Sequence, residues 1–183
     1  LKAQPLQHLW AEQDIPVVLG AGRLVEVKNF SLLIQAFLQV RKTQPCRLVI
    51  LGEGEKRREL EELAQASAYA EDICLMGFSG NPYPWMARAD AFVLSSDSEG
   101  LPTVLIEAIA CGAPVISTDC PHGPREILQD GAYGMLVPVN DAQRMAQAIA
   151  HTLRQPAQKQ SVQPLLEKFQ QKRAFQAYQR LLD

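Results

Sequence analysis

Two basic and two acidic side chains carry the chemistry this sequence could do. Arg23 and Lys28 follow the glycines of "GAGRLVEVKNF" (20–30), and Glu99 and Glu107 punctuate the otherwise apolar "SEGLPTVLIEAIACG" (98–112). A forked guanidinium and a mobile ammonium on one turn suit a diphosphate. The plainer alternative is two solvated loop charges. Pro102 suits the first turn of a helix. The amides of Thr103 and Val104 at its open end would then favour an anion. Glu107, about a turn and a half inside that helix, cannot favour one. Its carboxylate is an acceptor matched to hydroxyls such as a ribose diol, unless it is only a satisfied buried carboxylate or a charge on the helix rim. Glu99, in the loop, could accept from hydroxyls of a group attached beyond the phosphates. Nucleotide, diphosphate and sugar would each find a partner.

Other chemistries have less behind them. Gly20 and Gly22 are spaced like the start of a dinucleotide fingerprint, but Val25 stands where its third glycine belongs. Arg23 would also crowd a pyrophosphate lying on that turn, and no Gly-Lys-Ser/Thr is present. Cys46, Cys74, Cys111 and Cys120 show no Cys-x-x-Cys spacing, and His8, His122 and His151 are scattered. Buried free thiols are expected rather than a zinc site. "DSE" (97–99) has a counter-reading as a carboxylate pair for a divalent metal. The formal net charge of -2 gives no general cationic field for nucleic acid or anionic lipid. No apolar run approaches the roughly 18 to 20 residues of a membrane span.

Those side chains need a frame, and 183 residues with a 47% hydrophobic share suit one domain with a sizeable core. Strands are expected at "PVVLGAGR" (16–23), "RLVILGEG" (47–54), "DICLMGF" (72–78), "DAFVLSS" (90–96), "PVIST" (114–118) and "GMLVPV" (134–139). They read as continuous apolar runs, as strands covered on both faces should. Between the first two, "NFSLLIQAFLQVRKT" (29–43) sets Phe30, Leu33, Ile34, Phe37 and Leu38 at helical spacing. A charged helix over 56–68 turns Leu60, Leu63 and Ala64 inward. Shorter helices are expected within 81–89 and 123–131, and a helix over 101–112 stops at Gly112. Asp141 caps another, with Met145, Ala146 and Ile149 on one face, and a last amphipathic helix spans 164–182. The fold class is therefore α/β: a Rossmann-like parallel sheet of about six strands with helices on both faces. Ligands in such sheets sit beyond the carboxyl ends of the strands, which selects loops 20–28, 52–55, 77–84, 95–102 and 118–124.

With those loops in order, residues 15 to 153 resemble the C-terminal, donor-binding half of bacterial group 1 glycosyltransferases. These are retaining enzymes with two Rossmann-like domains, the arrangement called GT-B. The resemblance rests on Glu-x7-Glu, an Arg-x4-Lys pair and Gly-Glu-Gly occurring together and in sequence. It implies that Arg23 and Lys28, beside Gly22, bind the donor diphosphate and steady the leaving nucleotide. Glu99 would hold the donor sugar hydroxyls near the reacting carbon, and Glu107 the ribose. Gly100, Leu101, Pro102, Thr103 and Val104 would touch sugar and phosphate through backbone amides, and Gly77 and Phe78 would contact the base. Loops 79–84 and 118–125, with Tyr83 and His122, flank the sugar without an assigned role.

The same resemblance implies the rest of the enzyme. The donor is a nucleoside diphosphate sugar, UDP-linked, bound as substrate with no cofactor and no metal. The acceptor is a glycan or lipid-linked hydroxyl in cell-envelope synthesis, held by an N-terminal domain for which this chain has no room. Residues 1–14 then read as the remnant of an interdomain linker, 15–153 as the nucleotide-sugar-binding domain, and 154–183 as a polar linker and a helix running back toward the other half. A cytoplasmic location, at the inner face of the membrane through peripheral association of the intact enzyme, is implied with it. Two other readings stand beside this one. A nucleotide-sugar 2-epimerase shares the architecture, though "EGLPTVLIEA" fits glycosyl transfer better, and a non-catalytic subunit could lend the same fold to a partner.

Overall fold

Six strands pair in parallel into one sheet in the computed structural model, which describes residues 15–155 and 162–169. The expected linker at 1–14 and the last helix beyond residue 169 lie outside them. The strands are β1 (Val17–Ala21), β2 (Arg47–Leu51), β3 (Ile73–Gly77), β4 (Ala91–Leu94), β5 (Val115–Thr118) and β6 (Met135–Val137). Their order is β3-β2-β1-β4-β5-β6, so the chain reverses direction across the sheet between β1 and β4. That is the Rossmann-like arrangement the alternation of elements predicts.

Both faces of the sheet are covered, which is why its strands are apolar at nearly every position. Val18, Leu48, Ile50, Val93 and Ile116 point to one side, into a core shared with α1 (Phe30–Arg41), α2 (Arg57–Gln65) and α6 (Ala142–Arg154). Val17, Leu19, Val49, Phe92 and Leu94 point to the other. There they meet α3 (Tyr83–Met86), α4 (Thr103–Ala110), α5 (Pro124–Ile127) and α7 (Gln163–Lys168). Phe30, Leu33, Ile34 and Phe37 are buried as the periodicity of α1 predicts, whereas Leu38 and Leu63 are half-buried and pack at the edge of the core. Asn29 starts α1 from a left-handed conformation (φ 44°), its side chain accepting from the Leu32 amide at 3.1 Å. Asp141 caps α6 as expected, accepting from the Arg144 amide at 2.8 Å.

The observed strands are shorter than the apolar runs suggest. Gly52, Ser95 and Ser96, which the sequence places in strands, follow the last paired residues Leu51 and Leu94 and belong to the loops above the sheet. Pro102 lies just outside its helix, not in the first turn. With φ −74° and ψ 81° it is the centre of an inverse γ-turn, and the Thr103 amide donates to the Leu101 carbonyl at 2.8 Å.

All four cysteines are free. Cys46 and Cys120 are buried, Cys74 and Cys111 half-buried. Burial raises every one of these thiols, Cys46 to about 12. At pH 8 only about one Cys46 in 10⁴ is then a thiolate, and the thiolate is the reactive form. Iodoacetamide at pH 8 should leave Cys46 unmodified in the folded protein and label it fully in denaturant, read by peptide mass spectrometry. Equal labelling in both states would show that this core opens readily.

Candidate functional site

A cavity of about 430 Å³ opens at the carboxyl ends of the strands, across the point where the sheet changes direction. Its size is that of a small-molecule site. Ala21, Gly22 and Arg23 at the end of β1, Leu51, Gly52 and Glu53 at the end of β2, and Phe78, Ser79 and Pro82 beyond β3 form one side. Lys28, Glu99 and the Leu101–Val104 approach to α4 form the other.

The first side is built on close backbone contact. The Gly22 amide donates to the Leu51 carbonyl and the Leu24 amide to the Glu53 carbonyl, both at 2.9 Å. A Cβ on Gly52 would lie 1.8 Å from the Gly22 carbonyl oxygen, and one on Gly54 would lie 2.3 Å from that of Leu24. Glycine at 52 and 54 thus lets these two loops touch, because a Cβ at either would strike the backbone opposite. Gly77 closes the same wall at φ +81°, opposite Leu51 across a bulge in the β2–β3 pairing. Its open side faces the Glu53 carboxylate, which Arg57 holds at 2.7 Å.

The second side is built on polar contact. Lys28 ends a short 3-10 turn, Glu26–Lys28, that is laced to the loop after β4. The Ser95 hydroxyl donates to the Lys28 carbonyl at 2.9 Å, the Asp97 amide to the Val27 carbonyl at 2.9 Å, and the Asn29 side-chain amide to the Asp97 carboxylate at 2.8 Å. Lys56 pairs with Glu26 on the outer edge of that turn. So positioned, the Lys28 ammonium meets the Glu99 carboxylate at 2.6 Å, with side chains only 20% and 8% exposed. The same carboxylate oxygen accepts from the Ser96 hydroxyl at 2.6 Å. Arg23 is exposed at the mouth and makes no ion pair among the described residues. The Val104 amide likewise meets no acceptor there, while that of Thr103 is taken by Leu101.

The sequence matches the family described as "Glycosyl transferases group 1" over residues 7–172. This chain belongs to the group 1 glycosyltransferases. It is 39% identical over 132 residues to the N-acetylgalactosamine-N,N'-diacetylbacillosaminyl-diphospho-undecaprenol 4-alpha-N-acetylgalactosaminyltransferase of Campylobacter jejuni, covering 72% of this chain and 36% of that protein. It is 34% identical over 174 residues to the lipopolysaccharide core biosynthesis glycosyltransferase LpsE of Rhizobium meliloti, covering 92% of this chain and 50% of that one. The chain thus spans about a third to a half of these relatives. Among solved structures it superposes on the lipopolysaccharide outer core galactosyltransferase WaaB with a TM-score of 0.78 at 25% identity, covering 93% of this chain and 50% of that one. A glycosyltransferase from Rickettsia africae shares the fold with a TM-score of 0.81 at 18% identity, over 98% and 53% of the two chains. The sheet is Rossmann-like, and the solved structures it resembles are GT-B glycosyltransferases.

In this member of the group 1 family, then, Gly22, Arg23, Lys28, Phe78, Glu99 and Leu101 to Val104 line one cavity, while Gly77, Gly100 and Glu107 do not. Gly77 shapes the wall from behind. Glu107 sits one turn along α4 on the same face as Thr103, half-buried, its carboxylate making no hydrogen bond or ion pair among the described residues. The loop 118–124 also stays out of the cavity. It braces the Glu99 turn from behind, the Glu99 amide donating to the Pro121 carbonyl at 3.4 Å and Gly123 abutting Pro102. His122 faces a separate hollow beside Cys120 and Arg125. Of the two carboxylates in the metal counter-reading, Asp97 is turned to Asn29 and Glu99 to Lys28. Sequence reasoning missed Ser95, Ser96 and Thr118, because hydroxyls at strand ends look like the first residues of loops.

Proposed function

We propose that this chain is the donor-binding half of a retaining glycosyltransferase that moves a sugar from a UDP-linked donor to an acceptor hydroxyl in cell-envelope glycan synthesis. The observation that carries the reading is the meeting of Arg23, Lys28, Glu99 and the start of α4 in one cavity at the switch point of the sheet. The names of related proteins support its details. LpsE acts in lipopolysaccharide core biosynthesis, the Campylobacter relative is named for a diphospho-undecaprenol, and a pneumococcal O-GlcNAc transferase of similar fold was solved with UDP and GlcNAc.

On this reading the nucleoside diphosphate leaves as the acceptor oxygen attacks the anomeric carbon on the same face, and negative charge grows on the β-phosphate. Arg23, Lys28 and the open Val104 amide stabilise that charge where it develops, so the positive charge comes from the protein and no metal is needed. Glu99 orients the sugar hydroxyls, Glu107 takes the ribose diol, and Phe78, 80% exposed at the rim, meets the base. Acceptor binding belongs to a second domain, so the 183-residue chain alone would transfer little or no sugar. Among the described residues no helix is long and apolar enough to cross a membrane, and the reading places the whole enzyme at the membrane's inner face by peripheral association. Titration calorimetry with UDP should show one saturable site that Arg23→Ala and Lys28→Ala together abolish. A parent chain that does not bind UDP would overturn the reading.

A further inference from the structure

The described residues include four fully buried polar side chains, Ser95, Ser96, Ser117 and Thr118, and all four lie at the carboxyl ends of β4 and β5 under the cavity. Buried hydroxyls are costly unless each has a partner, and here each has one. Ser117 donates to the Thr118 carbonyl at 2.8 Å, and Ser95 to the Lys28 carbonyl, which fixes the backbone that carries the ammonium. Thr118 donates to the Ser96 carbonyl at 2.6 Å, which fixes Ser96. Only the Ser96 hydroxyl is aimed at a functional side chain, the Glu99 carboxylate.

Lys28 and Ser96 share one oxygen of that carboxylate. A carboxylate exposed by only 8% needs a donor at all times. For Lys28 to hand its ammonium from Glu99 to a phosphate, with its backbone pinned by Ser95, only the lysine side chain needs to swing. Ser96 cannot follow, because it is fully buried and held by Thr118. We infer that Ser96 is a positioning residue of the donor site: its hydroxyl keeps the Glu99 carboxylate in place while Lys28 exchanges that carboxylate for the donor's diphosphate. This rests on the donor-binding reading above, and goes beyond it by assigning the step to a residue that touches neither phosphate nor sugar.

The test is calorimetric affinity for UDP, which lacks the transferred sugar and so removes the direct contact proposed for Glu99 with the ligand. The proteins are the parent, Ser96→Ala, Ser96→Cys, Glu99→Gln and the double variant Ser96→Ala/Glu99→Gln, each with a thermal melt. Ser96→Ala should weaken UDP about tenfold, the loss of one hydrogen bond to a charged group. Ser96→Cys, which keeps the volume but only a weak donor, should do the same, and it carries the test if the alanine variant proves unstable. Glu99→Gln should tighten UDP, because Lys28 no longer has an anion to leave. In that background Ser96→Ala should change affinity by less than about twofold, since its effect runs through the missing charge. Unchanged affinity in Ser96→Ala, or the same tenfold loss with and without the Glu99 charge, would overturn the inference. A parent that fails to bind UDP would be seen before any variant is made, and would overturn the donor-binding reading itself.

Discussion

Lys28→Ala and Arg23→Ala should weaken UDP binding by similar factors, roughly ten- to a hundredfold for a lost charged hydrogen bond, while differing sharply in stability. Lys28 is the counter-charge of a carboxylate exposed by only 8%. Removing one member of a sealed ion pair costs about 3–5 kcal/mol. Because Lys28 itself is one-fifth exposed, water recovers part of this, and about 2–3 kcal/mol is expected. For a chain of this size that is a fall in melting temperature of roughly 5–10 °C. Arg23 is exposed and bears no ion pair among the described residues, so its removal should leave stability within about 0.5 kcal/mol of the parent. The double variant Lys28→Ala/Glu99→Gln should regain most of the lost stability, because no charge is then left buried. Scanning calorimetry of the four proteins decides the matter. A Lys28→Ala protein that melts with the parent would mean that Glu99 is already solvated and that the pair holds nothing.

That asymmetry marks where the sequence stops being readable. Arg23 and Lys28 are visible as two cations on one turn, and the turn's place after an apolar run puts both at the mouth of a strand. Nothing in the five-residue spacing says that one of them is buried against a carboxylate 71 positions away. The strands themselves were legible because a sheet covered on both faces needs apolar residues at nearly every position, and α1 because Phe30, Leu33, Ile34 and Phe37 recur at its period. Strand order was legible only as a class, since apolar runs of similar composition do not declare their neighbours. Glu107 was legible as a carboxylate in a helix, but the cavity ends at the first turn of α4, one turn short of it. Pro102 was misplaced by one position because a proline fits a γ-turn as well as a first helical turn, its φ being the same in both. The hydroxyls under the site were hardest to see. A serine's role is set by what lies opposite it, and Thr118 faces Ser96 from the next strand.

Gly-Glu-Gly was legible as a motif and its physical reason was not, which makes Gly52→Ala the most informative single change in the fold. The new Cβ would stand 1.8 Å from the Gly22 carbonyl oxygen and 2.9 Å from its carbon. Neither atom is a flexible side-chain end, so the loops after β1 and β2 must part. Gly52 also has φ +143°, where a side chain is strained whatever space surrounds it. Overpacking against backbone and the unfavourable conformation each cost about 1–3 kcal/mol, so a loss of roughly 3 kcal/mol or more is expected. UDP binding should fall with it, because the displaced residue precedes Arg23 and the amide that anchors it donates to Leu51. Gly54→Ala separates the two causes: its Cβ meets the Leu24 carbonyl oxygen at 2.3 Å but its φ is ordinary, so only the steric part remains. Gly80→Ala, with nothing within 4 Å of the new methyl, should match the parent within about 0.5 kcal/mol. If Gly52→Ala melted beside Gly80→Ala, the two loops would not touch, and the wall that presents Arg23 to the cavity would have to be built some other way.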